Sequence, residues 1–211
     1  MWNKNITELD AAGTFRSLNG AADENVFIGK ASKAGFFCFF KVWRDMPYDA
    51  VLDYGNVLYR VEVKGSSSGT YDLTRGGRSG AQINRNVATR TRRITRDDCD
   101  FVVCVDSNNG DCFILPVDIL DITNRQSFRT GALEPFKEKW KLFIHNDTTR
   151  ISGAHTRDGL LSLPLSELQT IASRVGAIVP TGDYRIPGTT RLRISDEKEK
   201  TILAIWYKLC E

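Results

Sequence analysis

The sequence predicts an α+β fold: a mixed sheet flanked by helices, with a helical segment at the C-terminal end. Three observations carry this. One helical pattern is followed by a succession of β-rich runs and then by more helical patterns, instead of the strict alternation of βαβ units. Two pairs of β-rich runs are separated by short glycine-containing turns, Gly55-Asn56 and Ser107-Asn-Asn-Gly110, the mark of antiparallel hairpins. Beyond about residue 150 the strand patterns stop and amphipathic helical ones take over.

Taken in order, residues 19–35 read as a helix, with Asn19 as N-cap and Gly35 as stop. Ala21, Ala22, Val26, Phe27 and Ala34 supply its core-facing stripe. Phe36–Trp43 is a strand, apolar on both faces at its start, and this predicts a central position in the sheet. After Met46-Pro47 comes the stretch 48–64, YDAVLDYGNVLYRVEVK. Glycine at the first central position suits a type II′ hairpin. With a two-residue loop, Tyr54 pairs with Val57, and the same register sets Asp49 across from Glu62. Gly65–Gly69 reads as a flexible break and Tyr71–Arg75 as a further strand. Gly76, Gly77 and Gly80 make the next segment a loop, and residues 82–93 are either helical or ordered only on binding. Phe101–Asp106 and Asp111–Leu115 form the second hairpin, and Pro116 ends it and opens a short helix, Val117–Leu120. Leu163–Gly176 is a helix with Ser166 as a candidate cap. Ser195–Leu209 is another, its first turn rich in acids (Asp196, Glu197, Glu199), as the helix dipole favours. The expected organisation is a core over residues 1–150 and a helical appendage over 151–211. That appendage is either a DNA-binding or dimer-contact element or a helical cap on the core.

Composition excludes several classes. The 211 residues are 41% hydrophobic and 26% charged, with no apolar run near membrane-span length and no secretory pattern at the N-terminus. Five cysteines form no CxxC pair and two histidines are too few for histidine-based chemistry. Reduced, mostly buried thiols and a cytoplasmic setting are the expectation.

The chemistry lies in the first hairpin. Directly opposed side chains in such a ladder stand roughly 4.5–5.5 Å apart, so Asp49 and Glu62 would repel each other unless a cation or a proton is shared between them. Lys64, two residues past Glu62, falls on the same face. A divalent-metal site with an adjacent ammonium group is a hydrolytic site suited to a phosphate. Asp53 shares Asp49's face, but its place at the hairpin end is explained by turn chemistry. A second signal follows: between Leu73 and Arg96 there are seven arginines (75, 78, 85, 90, 92, 93 and 96) and no acid. Such a block either faces a polyanion or is a solvated basic loop; beside a phosphodiester site, nucleic acid is the expected partner.

These residues resemble the PD-(D/E)xK nuclease superfamily. The resemblance lies in Pro47-Tyr48-Asp49, a hairpin, then Glu62-Val63-Lys64, with Tyr48 splitting the opening proline and aspartate. In look it is closest to the branch holding a cyanobacterial intron-encoded homing endonuclease. There a helix of the form G-x-x-x-E precedes the motif, as Gly20–Glu24 does here, and an "RVxVK" strand follows, as in Arg60–Lys64. It spans roughly residues 18–120. The resemblance implies a restriction-endonuclease-like core and a metal-dependent endodeoxyribonuclease, bacterial or phage-encoded. Asp49, Glu62 and the Val63 carbonyl would ligate Mg²⁺, with Mn²⁺ able to substitute. Lys64 would orient or deprotonate the attacking water, and Glu24 would reach a second metal or its water. Double-stranded DNA would be the substrate, with Arg75, Arg78, Arg85, Arg90, Arg92 and Arg93 on its surface. Because two strands are cut, a homodimer is expected. A structure-specific nuclease of Holliday-junction type and a non-cleaving DNA-binding module on the same fold are the competing readings.

Overall fold

The computed structural model describes residues 14–41, 43, 46–54, 57–76, 91–145, 159–189 and 192–211. The type II′ geometry expected at Gly55-Asn56, the segment 82–90 and the boundary expected near residue 150 lie outside the described residues.

The chain opens with α1 (Thr14–Lys33) and continues through β1 (Phe37–Phe40), β2 (Ala50–Tyr54) and the ten-residue β3 (Val57–Ser66). Three short strands follow: β4 (Thr70–Asp72), β5 (Thr74–Arg75) and β6 (Arg92–Arg93). After β7 (Phe101–Asp106) and β8 (Cys112–Pro116) come α2 (Val117–Thr123), β9 (Ser127–Arg129) and two short helices, α3 (Thr130–Leu133) and α4 (Lys141–His145). The chain ends with α5 (Leu165–Val175), the pair β10 (Tyr184–Arg185) and β11 (Arg193–Ile194), and α6 (Glu197–Leu209). The principal sheet has the order β1-β2-β3-β7-β8. It is mixed: β3 and β7 run parallel, and every other neighbouring pair is antiparallel.

β7 takes a central place because FVVCVD is β-branched and apolar along almost its whole length; its first five residues are buried. This displaces β1, which the sequence reading put at the centre. β1 is instead the edge strand, paired with β2, and Phe37, Phe39 and Phe40 are exposed. An apolar run on both faces is equally compatible with an edge whose outer face is uncovered, and only the competition with β7 decides between the two.

α1 meets the sheet through Asp23, Phe27 and Ala31, an i, i+4, i+8 stripe that is fully or almost fully buried. Of the predicted stripe, Phe27 is buried and Val26 partly so, but Ala21, Ala22 and Ala34 are exposed. The helix is rotated from expectation because Phe27 offers more apolar area than three alanines. It also comes very close to β3: a Cβ built on Gly65 would lie 1.7 Å from the Asp23 carboxylate. Glycine at 65 is therefore a condition of this approach.

The C-terminal helices are docked on the core. Ile202, Leu203, Ile205 and Trp206 of α6 are buried, each contributing about 1.5–3 kcal/mol by burial. The Trp206 ring meets Phe101 of β7 edge-on at 6.3 Å, and its indole N–H donates to the buried Asp118 carboxylate at 3.0 Å. Gly176 caps α5 at φ 71°; Asp196, expected within the first turn of α6, is instead its N-cap, its side chain accepting from the Glu199 N–H at 3.0 Å. Pro164, and not Ser166, is the N-cap of α5. All five cysteines are free and four of them buried. No described helix is long and apolar enough to cross a membrane.

Candidate active site

The hairpin register is the predicted one through Tyr54↔Val57 to Ala50↔Val61. Beyond Ala50 it changes. The Asp49 N–H donates to the Val61 carbonyl at 2.8 Å, so two successive residues meet Val61, in the manner of a bulge. Where the ladder would have continued, the Asp49 carboxylate itself accepts the Val63 N–H through Oδ2 at 2.8 Å. Asp49 thus stands beside Glu62 as a side chain tied into the neighbouring strand, and not as a regular ladder partner. Both residues are almost entirely buried, at 6% and 7% exposure.

Glu62 and Lys64 share a face of β3, as period-two alternation requires, and the Lys64 ammonium donates to Glu62 Oε1 at 2.7 Å. Burial pushes the Glu62 carboxyl above its ordinary range; Lys64 opposes this and the charge of Asp49 adds to it. Glu24 comes from α1. Its carboxyl is also raised, first by burial and then by the charge of Asp49, with Lys41 and Lys64 pulling it down. The neighbouring Asp23 turns elsewhere: its carboxylate accepts from the Ser107 hydroxyl at 2.9 Å and fills the space beside Gly65. Of the two acids, Glu24 is the one whose charge is felt at the site.

One residue at the site was missed. Lys41, just past the end of β1, places its ammonium on Asp49 Oδ1, and its own N–H donates to the Asp49 carbonyl at 3.1 Å. Burial works against its charged form, but the Asp49 hydrogen bond and the charges of Asp49, Glu24 and Glu62 outweigh it and raise the ammonium's pKa. A cation closing an apolar strand was the available signal, but its target eight residues on is visible only once β1 pairs with β2. Lys41, Glu62, Lys64, Thr70, Thr74 and Arg75 are among the residues around an open cleft of about 600 Å³.

The basic block is not left without counter-charge. Although the segment from Leu73 to Arg96 holds no acid, the fold brings acids to its arginines. Arg75 and Arg92 are directly opposed across β5 and β6, an unfavourable arrangement for like charges, and Asp98 lies between them. It accepts from Arg75 at 3.1 Å and from both terminal nitrogens of Arg92 at 2.6 Å. Although burial works to raise it, Arg92, the Thr95 N–H and Arg75 hold the Asp98 carboxyl down at about 2. Arg93 pairs with Asp121 at 2.8 Å, and Arg96 approaches Asp118 at 3.9 Å. The Arg92 side chain remains 58% exposed and Arg75 borders the cleft. Arg78, Arg85 and Arg90 lie outside the described residues. Asp53 sits within β2, across from Leu58 and Phe37.

Among the described residues, no group of three or more His, Cys, Asp or Glu side chains is gathered so as to hold a metal ion by itself. The donor set of two buried carboxylates still fits a magnesium-type ion. Such an ion takes oxygen ligands, often only one or two protein carboxylates, and completes its shell with water and substrate phosphate. Each of the two acids is paired with an ammonium group, Asp49 with Lys41 and Glu62 with Lys64.

No protein-family model matches the chain, and no curated protein does. Among solved structures, the fold is similar to that of a bacterial homing endonuclease, I-Ssp6803I, with a TM-score of 0.50 and 21% sequence identity. The match covers 63% of this chain and 95% of that one. At this identity the likeness is one of fold.

Proposed function

We propose that this protein is a Mg²⁺-dependent endonuclease that hydrolyses phosphodiester bonds of double-stranded DNA at specific sequences, in the manner of a homing or restriction enzyme. One observation carries the reading: Glu62 and Lys64 pair at the lining of the cleft, Asp49 is tied to the same strand through the Val63 N–H, and Glu24 of α1 is near enough for its charge to act on Asp49 and Lys64. The fold shared with a homing endonuclease supports it.

In this reading Asp49 and Glu62 hold the ion, with the Val63 main-chain carbonyl as a further ligand and Mn²⁺ as a competent substitute. When bound, the ion lowers the pKa of an attacking water and neutralises charge developing on the phosphate oxygens. The Val63 N–H fixes the Asp49 carboxylate in orientation, so little reorganisation is needed at the moment of reaction. Lys64, released from Glu62, would orient the attacking water and, as an ammonium group, stabilise the charge on the pentacovalent phosphate. Glu24, reaching in from α1, would hold a second metal or its water, its charge already acting on Asp49. Arg75 and Arg92 exchange part of their hold on Asp98 for backbone phosphates, joined by Arg93 and by Arg78, Arg85 and Arg90. Two such chains, each cutting one strand, make the working unit a homodimer. The chemistry requires no membrane and suits a cytoplasmic protein of bacterial or phage origin.

The test is incubation of phage or genomic DNA with the protein in Mg²⁺ and, separately, in Ca²⁺. Discrete fragments in Mg²⁺ alone support site-specific cleavage. A four-way junction cut in preference to linear duplex would move the reading to a structure-specific nuclease. Binding without cleavage under Mg²⁺ and Mn²⁺ would leave a non-cleaving DNA-binding module.

A further inference from the structure

The chemistry above assigns Lys41 no task, although it is as close to the site as Lys64. Its ammonium is in contact with Asp49 Oδ1, with 26% of the lysine side chain and 8% of the aspartate side chain exposed. The other oxygen of Asp49 is held by the Val63 N–H. An ammonium group in contact with a carboxylate oxygen and a divalent ion on that same carboxylate repel each other, even at an effective dielectric near 20. An ion that takes up Asp49 therefore loosens the hold of Lys41.

The charges indicate where Lys41 then goes. Three carboxylates (Glu24, Asp49 and Glu62), two ammonium groups (Lys41 and Lys64) and the Arg75 guanidinium act on one another here; with Arg75 set against its own partner Asp98 and all groups ionised, the sum is −3 + 2 = −1. A divalent ion brings it to +1, and one phosphodiester returns it to zero. Without Lys41 the loaded, substrate-bound site would stand at −1. The displaced ammonium, on a flexible stem anchored beyond the end of β1, borders the same cleft as Lys64, Arg75, Thr70 and Thr74, all groups that donate to phosphate oxygens.

We propose that Lys41 exchanges partners: it neutralises Asp49 in the metal-free protein and, displaced by the divalent ion, pairs with the scissile phosphodiester or its neighbour. The inference rests on the nuclease reading and deepens it. Lys41 is thus a competitor for metal in the free protein and a substrate contact in the loaded one. Uptake of metal and uptake of DNA are coupled through a single side chain.

The experiment compares wild type with Lys41→Gln and Lys41→Arg in two measurements. Mn²⁺ binding without DNA is followed by the electron paramagnetic resonance of the free ion. Binding of a fluorescent duplex in Ca²⁺ is followed by anisotropy across a salt series. Lys41→Gln should bind Mn²⁺ about tenfold tighter, the equivalent of roughly 1.4 kcal/mol. It should bind the duplex more weakly, with the salt slope reduced by about one. Lys41→Arg keeps the charge and should stay within about threefold of wild type in both. Unchanged or weakened Mn²⁺ binding by Lys41→Gln, or unchanged duplex binding, would overturn the exchange. Should Lys41→Gln fail to fold, Lys41→Met retains the apolar stem and reads the same two quantities. Wild-type protein that takes up no Mn²⁺, with or without duplex, would instead remove the nuclease reading and this proposal with it.

Discussion

Replacing Lys64 with methionine separates its structural part from its chemical one. The Lys64 ammonium is 2.7 Å from Glu62 Oε1, with 25% of the lysine side chain and 9% of the glutamate side chain exposed. At an effective dielectric near 20 the gross attraction at this distance is about 6 kcal/mol. Most of that is offset by desolvation, and a pair of intermediate burial lies between the ~0–1 kcal/mol of exposed pairs and the ~3–5 kcal/mol of breaking buried ones. About 2 kcal/mol is the expected loss in metal-free protein, or roughly 4–8 °C in Tm for a domain of this size. Saturating Mg²⁺ or Ca²⁺ should recover much of it, because the ion becomes the counter-charge of Glu62. The chemical loss is larger: removing one preorganised donor to a developing anion lowers a rate by roughly 10²–10³. Single-turnover cleavage in Mg²⁺, duplex affinity in Ca²⁺ and thermal melts with and without ion measure the three quantities. Cleavage within about threefold of wild type, or duplex binding lost in parallel with cleavage, would refute the assignment of Lys64 to the chemical step.

Three other perturbations follow from the geometry. Asp98 has a folded-state pKa of about 2, below its ordinary 3.8, so its contribution to stability is full above about pH 4 and is lost as pH falls toward 2; Asp98→Asn should flatten Tm across that window, and an undiminished acid slope would show that other carboxylates cause it. Gly65→Ala forces a Cβ into the Asp23 carboxylate and should lower stability by about 1–3 kcal/mol while also shifting Glu24; adding Asp23→Ala should restore part of both in melts and cleavage assays, and no restoration would mean that the clash lies elsewhere. Trp206→Phe removes a donor from the buried Asp118 carboxylate and should cost about 1.5–3 kcal/mol in urea unfolding, whereas a change below about 0.5 kcal/mol would show that Arg96 or water takes over.

The parts legible in the sequence were those set by local rules. A two-residue loop and period-two alternation determine the hairpin register, and from it the shared face of Glu62 and Lys64. Gly176 announces its helix end because such caps are made within one turn. What escaped was decided by distant partners. The edge position of β1 depends on β7 competing for the centre. Glu24 was expected from the resemblance, but the reason Asp23 turns away from the site, the rotation of α1 set by Phe27 and the gap over Gly65, lies outside the local sequence. Lys41 joins Asp49 only after β1 and β2 pair. Asp98, just outside the arginine block, becomes its counter-charge because β5 and β6 set Arg75 against Arg92.

The central claim is that Asp49 and Glu62 together hold a divalent cation. A crystal of the protein with bound duplex, soaked in Mn²⁺ and measured at a wavelength where manganese scatters anomalously, tests it most directly. The account predicts an anomalous peak within about 2.5 Å of a carboxylate oxygen of each residue, adjacent to a phosphate, with Lys64 outside the coordination shell. No peak between the two carboxylates, at Mn²⁺ concentrations that support cleavage, would contradict it.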